Sequence, residues 1–162
     1  MTDSRAKDTI DMTDTLTPIL RLHDHLVDEL AWQGYQPAVR PLVDLGVGWI
    51  LVDLVVTRTA DWPMHDVWDA PHIPAADVVV AVNNLSNADR EEEWRDPFRA
   101  LQATPIPWGW LLDTDRRGRP VVSEYGRIDG VLRPIRVRRR RPLRVREPFT
   151  CEIDAAALMA ND

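Results

Sequence analysis

The chain has 162 residues, a formal net charge of -6 and 44% hydrophobic residues, which is the size and composition of one globular domain. No apolar run approaches the roughly 18 residues that a membrane span requires, which excludes an integral membrane protein. The single cysteine, Cys151, excludes a disulfide scaffold and a multi-cysteine zinc site. The N-terminus is polar and acidic and lacks the apolar core of a signal peptide, so we expect a cytoplasmic protein.

The N-terminal half is expected to contain one helix followed by strands. We predict a flexible tail over residues 1–15 and a helix that begins near Thr17. A short strand is predicted over residues 37–45. The continuous apolar run Trp49–Val56 and the run Asp77–Val82 favour strands that are buried on both faces.

The C-terminal half is expected to contain two helices and four strands. Apolar spacing and turn residues predict, in order, a helix over 88–103, a strand over 108–112, an antiparallel meander over 121–128, 131–138 and 143–149, and a short helix over 154–159. The fold class that follows is α/β, with a mixed central sheet flanked by helices and a C-terminal antiparallel meander. We expect one domain over residues 16–162.

Two aspartates are candidate site residues because they lie in or beside the predicted buried strands. Asp53 stands inside an apolar run, and Asp77 opens the next one. A buried carboxylate is costly unless it is paired, hydrogen-bonded or bound to a metal. The alternative is that each aspartate accepts hydrogen bonds from loop amides at a strand end, and the sequence leaves both interpretations open.

Four short motifs occur in an order that resembles a known family. They read Val52-Asp53-Leu54-Val55-Val56, Ala76-Asp77-Val78-Val79-Val80-Ala81-Val82, a charged segment with Glu91-Glu92-Glu93, and Gly109-Trp110-Leu111-Leu112-Asp113. Over about residues 16–158 the chain resembles the Uma group of restriction-endonuclease-like proteins in the PD-(D/E)xK nuclease superfamily. The resemblance implies a restriction-endonuclease-like fold and Mg²⁺-dependent cleavage of DNA.

The same resemblance implies which residues would do this chemistry. Asp53 is the expected catalytic residue, and Asp53 and Asp77 are the expected metal ligands. Family members carry a glutamate at the position of Ala81, and a methyl group cannot coordinate Mg²⁺. They also carry a lysine near the metal, whereas the one lysine here, Lys7, lies in the predicted tail. We therefore expect impaired cleavage, with Mg²⁺ as cofactor if the protein is active.

A basic segment near the C-terminus is a candidate nucleic-acid interface. Residues 113–150 hold 12 basic and 5 acidic residues, a net charge of +7, in a chain that is acidic overall. Arginines at strand spacing can contact a phosphate backbone. The candidate binding residues are Arg136, Arg138, Arg139, Arg140, Arg141 and Arg144. The competing hypothesis is that this segment pairs with an acidic surface of the chain or of a partner.

Three functions remain open from the sequence. The first is a nuclease-fold protein that has lost cleavage and binds DNA or a protein partner. The second is an active Mg²⁺-dependent endonuclease in which Glu29, Asp66, Asp69 or Asn83 completes a site with Asp53. The third is a protein-interaction subunit without nucleic-acid contact. In each case we expect a homo-oligomer and no membrane contact.

A transition-metal site is a further, weaker hypothesis. Its ligands would be His65, Asp69 and His72, since imidazole and carboxylate groups suit such metals. Their spacing matches no established metal signature, and a solvated loop is the alternative.

Overall fold

The computed structural model describes residues 4–60, 72–85, 99–102, 104–139 and 141–160. Its helices in these ranges are α1 (Ser4–Leu30), α2 (Arg99–Gln102) and α3 (Ala155–Leu158), with 3-10 turns at Ala31–Gln33 and Ala75–Asp77. The strands are β1 (Tyr35–Val39), β2 (Leu42–Asp44), β3 (Trp49–Leu51), β4 (Leu54–Arg58), β5 (His72–Pro74), β6 (Val78–Asn84), β7 (Trp108–Thr114), β8 (Pro120–Ile128), β9 (Val131–Arg138), β10 (Leu143–Val145) and β11 (Cys151–Ile153).

A six-stranded mixed sheet lies at the centre, in the order β1-β4-β6-β7-β8-β9. Strands β6 and β7 run parallel, and the other four neighbouring pairs are antiparallel. Two small sheets accompany it, β3-β2-β5 and β10-β11. The predicted α/β class with a mixed central sheet is confirmed.

One face of the central sheet packs against α1. Leu22, Leu26 and Leu30 are completely buried and recur at helical spacing. They share a core cluster with Leu54 of β4 and Trp110 of β7. The inner side of the β10-β11 hairpin joins the same cluster, so this hairpin lies on the α1 face.

The other face carries a second core cluster. Val55 of β4 and Ala81 of β6 belong to it, together with Leu101 and Ile106. Successive residues of one strand point to opposite faces, which is why Leu54 and Val55 lie in different clusters. The described residues contain no helix that is long and apolar enough to cross a membrane.

The predicted continuous strand over Trp49–Val56 is wrong. The chain forms a hairpin over residues 35–58 in which β1 pairs with β4 and β2 pairs with β3. This hairpin bends where the backbone N–H of Arg40 donates to the Asp53 carbonyl at 2.8 Å, and Arg40 has a positive φ of 49°. The tip therefore leaves the central sheet, and Trp49 is 51% exposed.

Three further boundaries differ from the prediction. Helix α1 already begins at Ser4, so Pro18 lies inside it and not at its first position, and the missing N–H of Pro18 removes one helical hydrogen bond. Residues 72–74 form β5 instead of loop. Leu143–Val145 pairs with β11 and not with β9, because its apolar side chains turn into the α1 core.

The remaining boundaries agree with the prediction or are not tested. Strands β6 to β9 are confirmed within a few residues, and α3 forms with Asp154 as its N-cap. Most of the helix predicted over 88–103 lies outside the described residues. The flexibility of residues 1–15 and the single domain over 16–162 remain predictions.

Candidate functional site

Asp53 lies at the bend of the 35–58 hairpin and is 7% exposed. The backbone N–H of Asn84 donates to Asp53 Oδ2 at 2.7 Å, and the Asp53 N–H donates to Asn83 Oδ1 at 3.4 Å. Asn83 and Asn84 are themselves buried at the end of β6. The carboxylate of Asp53 is thus engaged by the neighbouring strand end, as the loop-amide alternative predicts for a structural aspartate.

Ala81 occupies the position at which the resemblance implies a second acid. It lies opposite Val55 on β4 and Gly109 on β7, and it has no solvent exposure. Ala81 and Asn83 point to the same face of β6, since they are two residues apart. A glutamate at position 81 would therefore stand beside Asp53, but the chain presents a buried methyl group there.

Asp77 lies at the opposite end of the β4-β6 pair from Asp53. It closes the 3-10 turn that precedes Val78, and Val78 pairs with Thr57, whereas Leu54 pairs with Val82. Six strand residues separate the two levels, which corresponds to roughly 20 Å. Asp53 and Asp77 are therefore not brought together and cannot bind the same Mg²⁺ ion.

The other candidate ligands do not complete a metal site. Asn83 does contact Asp53, but Glu29 lies on α1, across the sheet. The ring of His72 packs against Trp49 in a tilted arrangement, with centroids 4.8 Å apart and planes at 57°. His65, Asp66 and Asp69 lie outside the described residues. In the part of the chain that the structure describes, no three His, Cys, Asp or Glu side chains are placed to hold a metal ion.

The side chains around Asp53 can be compared with the ligands that Mg²⁺ requires. The ion prefers octahedral oxygen coordination, usually with at least one or two carboxylates. Around Asp53 the described side chains offer one carboxylate, with an oxygen already bonded to Asn84 N–H, and the methyl of Ala81. The described residues around Asp53 do not fit a Mg²⁺ centre.

A second charged region lies at the β9 edge of the sheet, on the α1 side. Here β9 and the β10-β11 hairpin enclose an open groove of about 1150 Å³, which we call the arginine groove. Its described lining consists of Arg119, Arg136, Val137, Arg138, Arg139, Arg141, Pro142, Arg144, Arg146 and Glu152. Seven arginines and one glutamate give it a formal charge of +6. Arg140, also predicted to bind nucleic acid, lies outside the described residues.

Three arginines of the groove have partners. Arg136 Nε lies 4.0 Å from Glu124 Oε1, and its Nη1 donates to the Arg144 carbonyl at 3.2 Å. Arg144 Nε lies 3.7 Å from Glu152 Oε2. Arg119 Nε donates to Asp115 Oδ2 at 3.0 Å.

The other four groove arginines are exposed. Arg138, Arg139, Arg141 and Arg146 have no carboxylate within salt-bridge distance among the described residues. The arginine groove therefore contains cationic side chains that the rest of the described chain leaves unpaired.

Two titratable groups beneath the groove were not predicted from the sequence. Burial raises the pKa of Glu124, and the charge of Arg136 opposes that rise. Burial also raises the pKa of Cys151 to about 12, aided by the negative charges of Glu29 and Glu124. The sequence did contain a signal that Glu124 is buried. Glu124 lies two residues from Val122 and so points to the same face of the predicted strand as this apolar side chain, and both are buried.

Comparison with known proteins identifies the fold. No family model matches the chain, and no curated protein matches it. Among solved structures, the chain is similar to a putative nuclease belonging to DUF820 from Anabaena variabilis ATCC 29413. The TM-score is 0.63 at 13% sequence identity, over 90% of this chain and 80% of that one. The likeness shows that this chain has a nuclease-like α/β fold.

Proposed function

We propose that this protein is a nuclease-fold protein that has lost metal-dependent cleavage and acts by binding DNA. The observation that carries the first half is the buried Ala81 on β6, at the position near Asp53 where the resemblance implies a second acid. Metal-assisted phosphodiester cleavage needs ions that stabilise the attacking and leaving oxygens. One enclosed carboxylate beside the methyl of Ala81 does not supply such a centre.

The second half is supported by the charge of the arginine groove. An interface for DNA is built from arginine and lysine side chains that neutralise phosphates. The groove has a formal charge of +6, although the chain carries -6. This segregation of charge favours a polyanionic ligand over a neutral partner.

A cleavage assay tests the loss of activity. Supercoiled plasmid is incubated with the wild-type protein, in Mg²⁺ and separately in Mn²⁺, beside the Asp53→Asn variant. We expect both proteins to give the same background of nicked DNA. Metal-dependent cleavage by the wild type that disappears in Asp53→Asn would overturn the proposal and establish the active endonuclease.

The matched control for this assay is Asp113→Asn. Asp113 is a partly buried acid at the end of β7 that accepts from the N–H of Thr114 at 2.7 Å. A change of cleavage in Asp53→Asn but not in Asp113→Asn would be specific to the candidate site. Circular dichroism of all three proteins checks that they are folded.

A further inference from the structure

We infer that the arginine groove binds the phosphate backbone of duplex DNA independently of base sequence, on the sheet face opposite the position of the missing acid. This inference rests on the proposed function, since it assigns the place and mode of the DNA contact. It concerns β9, β10 and the described residues Arg139, Arg141 and Pro142, and not the surroundings of Asp53.

The spacing of the arginines suits a regular polyanion. Arg136 and Arg138 lie two residues apart on β9, and Arg144 and Arg146 lie two residues apart at β10. Two strand residues span roughly 6.8 Å, which equals the axial rise of two nucleotides along one DNA strand. Guanidinium groups also bind phosphate oxygens in a bidentate manner.

The lining determines what the groove can recognise. Its described residues include no aromatic side chain and no Asn or Gln, and its apolar members are Val137 and Pro142. Binding of single strands relies on aromatic residues on which bases stack, and adenine is read by Asn or Gln. Arginine reads guanine when it enters the major groove, whereas the arginines here line a concave groove. The groove therefore favours backbone contacts to duplex DNA, which has the higher charge density.

The groove wall is held in place before any ligand arrives. The Gln33 side chain bonds both backbone groups of Thr150, donating to the carbonyl at 2.7 Å and accepting from the N–H at 2.8 Å. His25 Nε2 donates to the carbonyl of Glu152 at 2.6 Å. These bonds fix the backbone of the β10-β11 hairpin to α1 and to the 3-10 turn that follows it, so the backbone that carries Arg144 and Arg146 needs little ordering on binding.

The groove and the candidate site lie on different faces. Arg136 and Arg138 stand opposite Glu124 and Val122 on β8, and Val122 belongs to the α1 core cluster. Ala81 belongs to the cluster on the other face. Strands β4 and β9 are four strand spacings apart, or roughly 19 Å. DNA in the groove would therefore not pass over the Asp53 region.

Fluorescence anisotropy with labelled 20-base-pair duplexes of two unrelated sequences tests the inference. The test variant is Arg138→Ala/Arg139→Ala/Arg141→Ala. The control, Arg58→Ala/Arg116→Ala/Arg117→Ala, removes three exposed arginines outside the groove. Both variants remove three positive charges. A difference in DNA affinity between them therefore depends on where the arginines lie and not on the total charge.

We expect wild type to bind both duplexes within about twofold of each other, because phosphate contacts carry no sequence information. The groove variant should lose more than about tenfold in affinity at 50 mM salt, with a salt slope reduced by about 3, whereas the control should lose less than about threefold. Equal losses in the two variants would overturn the inference and leave the proposed function standing. No duplex binding by the wild type at low salt would overturn both.

Two further probes decide the ligand class and the face. Polyglutamate or a single-stranded 20-mer that binds as tightly as the duplex would overturn the inference, the former in favour of an acidic protein partner. Hydrogen exchange of the wild type with duplex should slow at residues 136–139 and 143–146 and remain unchanged at residues 52–56. Slowing confined to residues 52–56 and 80–84 would place the DNA on the other face and also overturn it.

Discussion

The surroundings of Asp53 and the arginine groove are two charged regions of one sheet that differ in their use of charge. Asp53 is 7% exposed, and its carboxylate accepts a backbone N–H of β6. In the groove, exposed arginines such as Arg138 and Arg141 have no carboxylate partner among the described residues. The Asp53 carboxylate is hydrogen-bonded within the fold, whereas these arginines have no ionic partner among the described residues.

Under the proposed function, this difference explains how a nuclease-like fold would lose cleavage and keep DNA binding. A metal centre needs several ligands at once, so one substitution by alanine is enough to disable it. A polyanion contact is distributed over many arginines, each of which contributes a part of the affinity. The four predictions below test this comparison, from the largest expected effect to the smallest.

Cys151 should be almost unreactive toward a thiol reagent in the native protein. Its pKa is raised from 9.0 to about 12, which lowers the thiolate fraction at pH 8 by about a thousandfold, and it is 4% exposed. Labelling with Ellman's reagent, followed by absorbance, should be slow in buffer and complete in denaturant. Rapid labelling in buffer would show that the groove wall opens, contrary to a preformed groove.

Asp53→Ala should destabilise the protein by about 1–3 kcal/mol, because it leaves the buried N–H of Asn84 without its acceptor. The matched control Asp28→Ala removes an exposed aspartate of α1 and should change the free energy of unfolding by less than about 0.5 kcal/mol. Urea denaturation followed by circular dichroism measures both. Equal stability of the two variants would contradict a structural role for Asp53.

Glu124→Gln should raise the melting temperature at pH 7 by a few degrees. The pKa of Glu124 is raised by burial in the folded state above its ordinary value of 4.5, so the ionised form costs stability at neutral pH. The cost is absent below pH 4.5 and appears as the pH rises through the folded-state pKa. Thermal melts at several pH values should show the difference between variant and wild type shrinking toward pH 4.5; a difference that is constant with pH would contradict this.

Glu152→Gln should change stability by less than about 0.5 kcal/mol, because its pair with Arg144 is exposed. It removes the carboxylate from the described lining of the groove, so affinity for duplex DNA should rise severalfold. Glu147→Gln, at an exposed acid outside the lining, is the control for net charge. An equal rise in both variants would contradict a local effect of Glu152 on the groove.

Much of the sheet could be predicted because its strands carry local signals. The apolar runs before Asn84 and after Pro107 became β6 and β7, and the turn at Asp129-Gly130 joins β8 to β9. The bend at Arg40 and Asp53 could not be predicted. The apolar run Trp49–Val56 is continuous in sequence and contains no glycine or proline that would indicate the break between β3 and β4. Pairing of β10 with β11 likewise depends on the distant α1.

The candidate site was predictable in part. The motif order placed Ala81 where an acid is expected, and the register shows that this position adjoins the end of β6 that contacts Asp53. The distance between Asp53 and Asp77 required the strand pairing. The arginine groove could not be predicted without the tertiary structure. Glu152 and the β9 arginines lie close together because the β10-β11 hairpin packs on the α1 face of the sheet.

Strand β9 ends the central sheet, and such an edge offers unpaired backbone groups that can recruit strands from other molecules. Its apolar Ile135 and Val137 are 41% and 45% exposed, which increases that hazard. Arg136 and Arg138 alternate with them, so a second copy approaching this edge would meet cations of the same sign. We expect these arginines to oppose edge-to-edge pairing of two copies, and an oligomer of this chain to form through a different surface.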